Sequence, residues 1–224
     1  MSKNYVVFSD VDETIIKFKS MLKFMDYFLF ESEYSSKPAA EKKREEYIEI
    51  KRLVKTHEHT REVLNRRFYA MFSGIRQAEL QDAAKIWLED IFERGDLFIE
   101  KTLSEQKQHK DQGAEIVLVS GSFKDILGPI MKYMHADYLL CSDLQVKDGV
   151  YTGTLLQQVI GEGKWQVISK HIEGKGINLE DCFAYGDHES DLCFMEKVGN
   201  PVVVGKSESM QKLAHERNWK LIPA

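Results

Sequence analysis

Short apolar runs alternate with longer amphipathic ones along this chain, and the first run sets the plan. Tyr5-Val6-Val7-Phe8 is a compact run of β-formers that predicts a buried strand. It stops abruptly at Ser9-Asp10-Val11-Asp12-Glu13-Thr14. Runs of the same kind recur at Glu115–Phe123, at Tyr138-Leu139-Leu140-Cys141, at Asp181–Tyr185 and at Pro201-Val202-Val203-Val204. Helical patterns separate them, and Gly161-Glu162-Gly163-Lys164 opens one such helix. Strands alternating with helices imply right-handed crossovers and a parallel sheet, so the expected class is α/β.

A long stretch interrupts this alternation. No strand pattern is present between residues 20 and 113. Ile15–Phe30 is apolar and aromatic, with helical spacing in its second half, and residues 31–40 form a polar break. A charged helix is predicted from Glu41 to about Met71, with a stop at Ser73-Gly74. Leu80, Ala84, Trp87, Leu88 and Ile91 follow a period near 3.6 and predict a further amphipathic helix, ended by Arg94-Gly95-Asp96. Another helix is expected from about Leu97 to Gln112, closed by Gly113. Residues 17–95 are therefore expected to form a helical insertion, leaving 1–16 and 96–224 as the sheet-bearing core. Asp148-Gly149, flanked by Leu144-Gln145-Val146 and Val150–Gly153, is a hairpin signal and predicts a small β flap.

Composition narrows the classes. The chain has 224 residues, 43% hydrophobic and 30% charged, enough for one large domain or a core domain with an insertion. A net charge of -5 offers no basic surface for nucleic acid. No apolar run reaches the length of a membrane span, and the start of the chain carries no secretory pattern. Cys141, Cys182 and Cys193 are odd in number and lack metal-ligand spacing, so they are expected to be reduced packing residues of a cytoplasmic protein.

The candidate chemistry sits where strands end. Asp10 and Asp12 are two apart and project the same way from extended backbone, outside the carboxyl end of the first strand, where open α/β sheets bind ligands. Two carboxylates about 4 Å apart repel by about 4 kcal/mol at an effective dielectric near 20. A cation between them or a proton on one relieves this; a solvated Asp-x-Asp turn is the plainer alternative. Ser120-Gly121 ends the second strand and is also compatible with a simple helix N-cap. Lys164 alone reads equally as a solvated lysine. Asp187 and Asp191 also fit a turn and a first-turn helix acid. His188, between them, is expected to face the insertion or solvent rather than bind a metal.

Taken together and in order, these motifs resemble the haloacid dehalogenase superfamily, in its phosphoserine-phosphatase-like subfamily IB. The resemblance rests on Asp10-Val11-Asp12-Glu13-Thr14, Val119-Ser120-Gly121-Ser122-Phe123, Asp148–Gly153, Gly161–Lys164 and Gly186-Asp187-x-x-x-Asp191. It implies a doubly wound, Rossmann-like parallel core with a helical C1-type cap inserted after the first strand. It further implies a Mg2+-dependent phosphatase acting on a small phosphorylated metabolite. Asp10 would then be the nucleophile that forms an aspartyl-phosphate, and Asp12 a general acid and base with a raised pKa. Ser120 and the Gly121 amide would hold phosphoryl oxygens, and Lys164 would place its charge on the phosphate and on Asp10. The metal would be held by Asp10, the backbone carbonyl of Asp12 and Asp187, with Asp191 orienting that shell or Lys164 and with Thr14 fixing the loop.

Phosphotransfer or mutase chemistry on the same scaffold is the nearest alternative. A receiver-like signalling module is a more distant one, opposed by the order of the acids and by the large insertion. The subfamily's phosphoserine pattern places a carboxylate a few residues after the nucleophile. Here Lys17, Phe18, Lys19 and Ser20 stand there, and no acid follows until Asp26, which disfavours phosphoserine itself. Lys19 instead suggests an anionic or polyol leaving group, and Arg66 or Arg67 could meet a second anion. Phe18, Met21, Phe68 and Met71 are candidate pocket residues. No nucleic acid or membrane partner is expected, and the chain is expected to be a monomer or homodimer.

Overall fold

The computed structural model describes residues 5–56 and 58–223. β1 (Val6–Ser9) lies at the centre of the sheet and pairs in parallel with β2 (Glu115–Phe123) on one side and β5 (Phe183–Gly186) on the other. β3 (Tyr138–Lys147) extends the β2 side, and β4 (Val150–Gln157) returns antiparallel along it. β6 (Asn200–Val204) and β7 (Lys220–Ile222) extend the β5 side in parallel. The resulting order, β4-β3-β2-β1-β5-β6-β7, reverses direction at β1. That reversal opens a crevice at the carboxyl ends of β1 and β5, the usual ligand position of such sheets.

Both faces of the sheet are covered, which is why its strands read as continuous apolar runs. Neighbouring residues of a strand point to opposite faces. Val7 joins Ile116 and Leu118 in one apolar cluster, while Val6 and Phe8 join Val117 and Val119 in another. The insertion between β1 and β2 consists of α1 (Ser20–Phe30), α2 (Pro38–Thr56), α3 (Arg61–Ala70) and α4 (Gln77–Arg94), followed by α5 (Glu100–Asp111). The first cluster takes in these helices and α6 (Lys124–Met134), through Phe24, Phe28, Phe72, Trp87, Ile126 and Ile130. The second is closed by α7 (Glu162–Ile172), α8 (Leu192–Met195) and α9 (Glu208–Glu216), through Ile168, Phe194 and Met210.

Phe123, at the end of β2, ties the insertion to the sheet. Its ring lies 6.1, 6.0 and 5.3 Å from those of Phe24, Tyr69 and Phe72. The entry and exit of the insertion are stitched together by Lys17 N to Leu97 O (3.0 Å) and Ile99 N to Ile15 O (2.8 Å). The β3–β4 hairpin is fixed to the loop after α3 by Gly74 N to Tyr151 O and Tyr151 N to Ile75 O, both 2.9 Å. Gly153 makes this approach possible: a Cβ there would lie 2.8 Å from the carbonyl oxygen of Ala70.

The observed elements depart from the sequence pattern in two places. The single helix expected over residues 41–71 is two, because Thr60 ends the run by capping α3: its Oγ1 accepts from Val63 N at 3.4 Å. The third apolar run and the flap are one ten-residue strand, β3. It pairs with β2 as far as Ser142 and with β4 from Asp143, so the hairpin grows out of the sheet itself. Asp148 and Gly149 turn it with φ of 52° and 75°, as a two-residue hairpin of this hand requires. No helix among the described residues is long and apolar enough to cross a membrane. All three cysteines are free thiols.

Candidate active site

Asp10 is the first residue past β1. Its amide donates to Tyr185 O at 3.0 Å, which carries the ladder with β5 one step further and fixes the side chain at the crevice. The chain then coils tightly: the amides of Thr14, Ile15 and Ile16 all reach Val11 O, at 3.3, 2.8 and 3.0 Å, and Glu13 takes a left-handed φ of 58°. This coil turns Thr14 back onto the carboxylates. Its hydroxyl lies 3.3 Å from Asp187 Oδ1 and 3.5 Å from Asp10 Oδ2, and its proton serves one of them at a time.

Asp187 follows β5 directly, beside Asp10. Gly186 before it has no room for a side chain, since a Cβ there would lie 2.7 Å from Asp191 Cβ. Asp191 turns back into the crevice and accepts from the His188 amide at 3.4 Å. One carboxylate oxygen from each of Asp10, Asp187 and Asp191 lies within 4.8 Å of the other two. Lys164, in the first turn of α7, spans the group: its Nζ donates to Asp10 Oδ1 and to Asp191 Oδ1, each at 2.6 Å. All three side chains of this bridge are buried.

The charges of the site do not balance. Burial pushes the Asp10 carboxyl upward, against the pull of Lys164 and with the Asp191 charge adding to the rise. Burial and then the charges of Asp10 and Asp191 push Asp187 up to about 8. Burial acts the other way on Lys164, but the carboxylates of Asp10 and Asp191 outweigh it and keep the ammonium charged. With all three carboxylates ionised, the one ammonium leaves two negative charges, the complement of one divalent cation, and the raised values of Asp10 and Asp187 reflect that excess. A donor set made only of carboxylate oxygens suits a hard cation.

Asp12 stands apart from that cluster. Its Oδ1 is buried without a hydrogen-bond partner among the described residues. Burial and the Asp10 charge push its pKa up to about 7, with Ser20 and Lys164 opposing. A carboxyl in this state holds a proton near neutrality and can give it up to an oxygen placed beside it.

The opposite side of the site is the loop ending β2. Ser120 Oγ accepts from Ser122 N at 3.1 Å, and the Ser20 hydroxyl donates to Ser122 at 2.9 Å. The Gly121 carbonyl is held from the insertion by two donors of α3, Asn65 Nδ2 at 3.2 Å and the Tyr69 hydroxyl at 2.8 Å. Asn65 is itself fixed by Gln158 Nε2 on its Oδ1 at 3.0 Å. The insertion therefore sets the orientation of the Gly121–Ser122 peptide, next to the Gly121 amide.

A cavity of about 540 Å3 lies between these groups and the insertion, with Asp10, Asp12, Ser120, Gly121, Lys164 and Lys19 in its lining. Lys19 pairs with Glu13 at 3.2 Å. His188 lines the cavity too, but its Nδ1 accepts from Ser190 N at 3.0 Å, and burial, then Arg61, lower its pKa. Arg67 does not reach the cavity, contrary to expectation; it faces outward near Glu49, and Arg66 donates to Gln158 at 2.6 Å. Arg61 occupies the place foreseen for them and donates to Ser190 Oγ at 3.0 Å. The reason is helical phase: Arg61, Leu64, Asn65 and Phe68 share one face of α3, and residues 66 and 67 lie on another. Met21 and Phe68 line the cavity, whereas Phe18 packs against Trp87 and Met71 is buried in the core. Asn65 and Tyr69 belong to no motif that marks them in the sequence.

Residues 7–196 match the family model of haloacid dehalogenase-like hydrolases. A probable phosphatase of Mycobacterium tuberculosis is 37% identical over 114 residues, which is 51% of this chain and 40% of that protein. The match thus spans less than half the length of this relative. A solved protein of unknown function from Bordetella pertussis Tohama I superposes with a TM-score of 0.85 over 98% of both chains, at 20% identity. A phospho-aspartyl intermediate analogue of phosphoserine phosphatase superposes with a TM-score of 0.67, covering 98% of this chain and 92% of that one, at 19% identity. With its motifs gathered at one rim of a doubly wound sheet and the family model matched over most of its length, this chain belongs to the haloacid dehalogenase-like hydrolase family.

Proposed function

We propose that this protein is a Mg2+-dependent phosphatase of small phosphomonoesters, working through an aspartyl-phosphate on Asp10. One observation carries the reading: Asp10, Asp187 and Asp191 converge within 4.8 Å while Lys164 bridges Asp10 and Asp191. A solved phosphoserine phosphatase with a phospho-aspartyl analogue shares the fold, which supports it further.

In the first half-reaction an Asp10 Oδ forms a bond to phosphorus as the ester P–O bond breaks, and Asp12 gives its proton to the departing oxygen. In the second, a water loses a proton to Asp12 and attacks phosphorus, which frees phosphate and returns the Asp10 carboxylate. Ser120 and the Gly121 amide bind phosphoryl oxygens, Lys164 holds Asp10 in place and neutralises spreading charge, and Thr14 fixes the loop. Asp10, the Asp12 backbone carbonyl and Asp187 would hold Mg2+, which supplies positive charge against the phosphate oxygens. Asp191 keeps Lys164 in position. The insertion, residues 17–95, acts as a cap over the core formed by 1–16 and 96–224, and the three free thiols suit a reducing cytoplasm.

A panel of phosphomonoesters assayed with Mg2+ and with EDTA tests the reading. Phosphate release that needs Mg2+ and is abolished by Asp10→Asn is expected. Release that survives Asp10→Asn, or none from a broad panel, overturns it.

A further inference from the structure

The cavity wall opposite the carboxylates is apolar. α1 contributes Met21 and Leu22, α2 Ile50 and Val54, and α3 Leu64 and Phe68. Three helices thus turn their inner stripes toward the reacting groups. Of the polar groups beside them, Asn65 is engaged with Gly121 and Gln158, Arg61 with Ser190, Lys19 with Glu13 and the Thr60 hydroxyl with Val63 N, and His59 stands at the turn between α2 and α3. Apart from Asp10 and Asp12, Glu189 is the one acid among the described residues of the lining, and it belongs to the core, not to the insertion. A substrate ammonium therefore finds no carboxylate on the insertion side.

A cavity of about 540 Å3 holds much more than a phosphate group, and its apolar wall gains by covering an organic group of the same character. We infer that the site takes phosphomonoesters of a single apolar chain, with the phosphate at Asp10 and the chain laid along the wall built by α1, α2 and α3. This rests on the phosphatase reading above and names its substrate class. Each methylene moved from water onto such a wall is worth up to about fourfold in affinity, and about twofold where it stays half-exposed. Amino-acid and polyol phosphates gain nothing from the wall and must strip water from polar groups to enter.

The test is a series of linear alkyl phosphates from ethyl to decyl, kept below their micelle concentrations, beside phosphoserine and glycerol phosphate. kcat/KM is measured with Mg2+ on the wild type, and binding is measured by calorimetry on Asp10→Asn. The expected result is a rise of roughly two- to fourfold per methylene that levels off once the chain outgrows the cavity. The longer members should exceed phosphoserine by tenfold or more. Val54→Ser should lower the ratio of octyl to ethyl phosphate, a ratio that mere loss of folded protein leaves unchanged. A flat or falling series, or phosphoserine or glycerol phosphate as the best substrate, overturns the inference. Chain-length-dependent binding without any hydrolysis leaves the inference standing and overturns the phosphatase reading. Neither binding nor hydrolysis overturns both.

Discussion

Replacing Lys164 with Met is the most exacting probe of the site's electrostatics. The side chain is buried between two buried carboxylates, its Nζ 2.6 Å from each, and methionine keeps most of its length without its charge. The substitution leaves Asp10 and Asp191 facing each other and Asp187 without a counter-charge. Removing one partner of a buried ion pair costs about 3–5 kcal/mol. At 2–4 °C per kcal/mol for a chain of this size, the melting temperature at pH 8 without metal should fall by roughly 6–20 °C. The sign with pH follows from the carboxylates. Asp10 is already pushed above its ordinary value with Lys164 present, and losing the ammonium pushes it further. An acid whose folded pKa is raised keeps the folded state stable at low pH and withdraws that stability as pH climbs from the unfolded value, near 4, through the folded one. The deficit relative to wild type should therefore be large at pH 8 and shrink at pH 5. Thermal melts followed by circular dichroism in EDTA, at both pH values, measure it. Equal deficits at the two pH values, or none at pH 8, would refute the buried charge bridge.

Three further outcomes are expected. Asp12→Asn should keep the fold and lower kcat by about 10²–10⁴-fold, measured as phosphate release under saturating substrate; near-normal turnover would remove Asp12 from the proton transfer. Because Asp187 is pushed up to about 8, the metal-free protein should lose stability between about pH 4 and 8, and Mg2+ should raise the melting temperature more at pH 8 than at pH 6. A Mg2+ shift independent of pH would contradict this. Tyr69→Phe deletes the 2.8 Å bond to the Gly121 carbonyl and should cost about 0.5–1.5 kcal/mol of stability with a several-fold loss of kcat/KM; loss of stability alone would reduce Tyr69 to a packing residue.

The strands and the acid cluster could be read from the chain because each leaves a local mark. Strands covered on both faces are unbroken apolar runs, and Asp10, Ser120, Lys164 and Asp187 each stand where a run ends or a helix starts. Arg61 is hidden for the same reason as the break before α3: without the Thr60 cap the phase of α3 is undefined, so nothing in the sequence decides which of its arginines faces inward. Asn65 and Tyr69 act on a backbone carbonyl more than fifty residues away, and a carbonyl leaves no trace in sequence. The merging of the third run with the hairpin was hidden because Ser142-Asp143 looks like a break, although one strand there merely exchanges one neighbour for another.

The most direct measurement asks whether a phosphoryl group passes through Asp10. Enzyme turning over a phosphomonoester with Mg2+ is quenched in acid, reduced with borohydride and mapped by mass spectrometry. Reduction of an aspartyl-phosphate yields homoserine. Homoserine at position 10, lost without Mg2+ or substrate, is the predicted result; unmodified Asp10 during turnover, or homoserine at another aspartate, would contradict it.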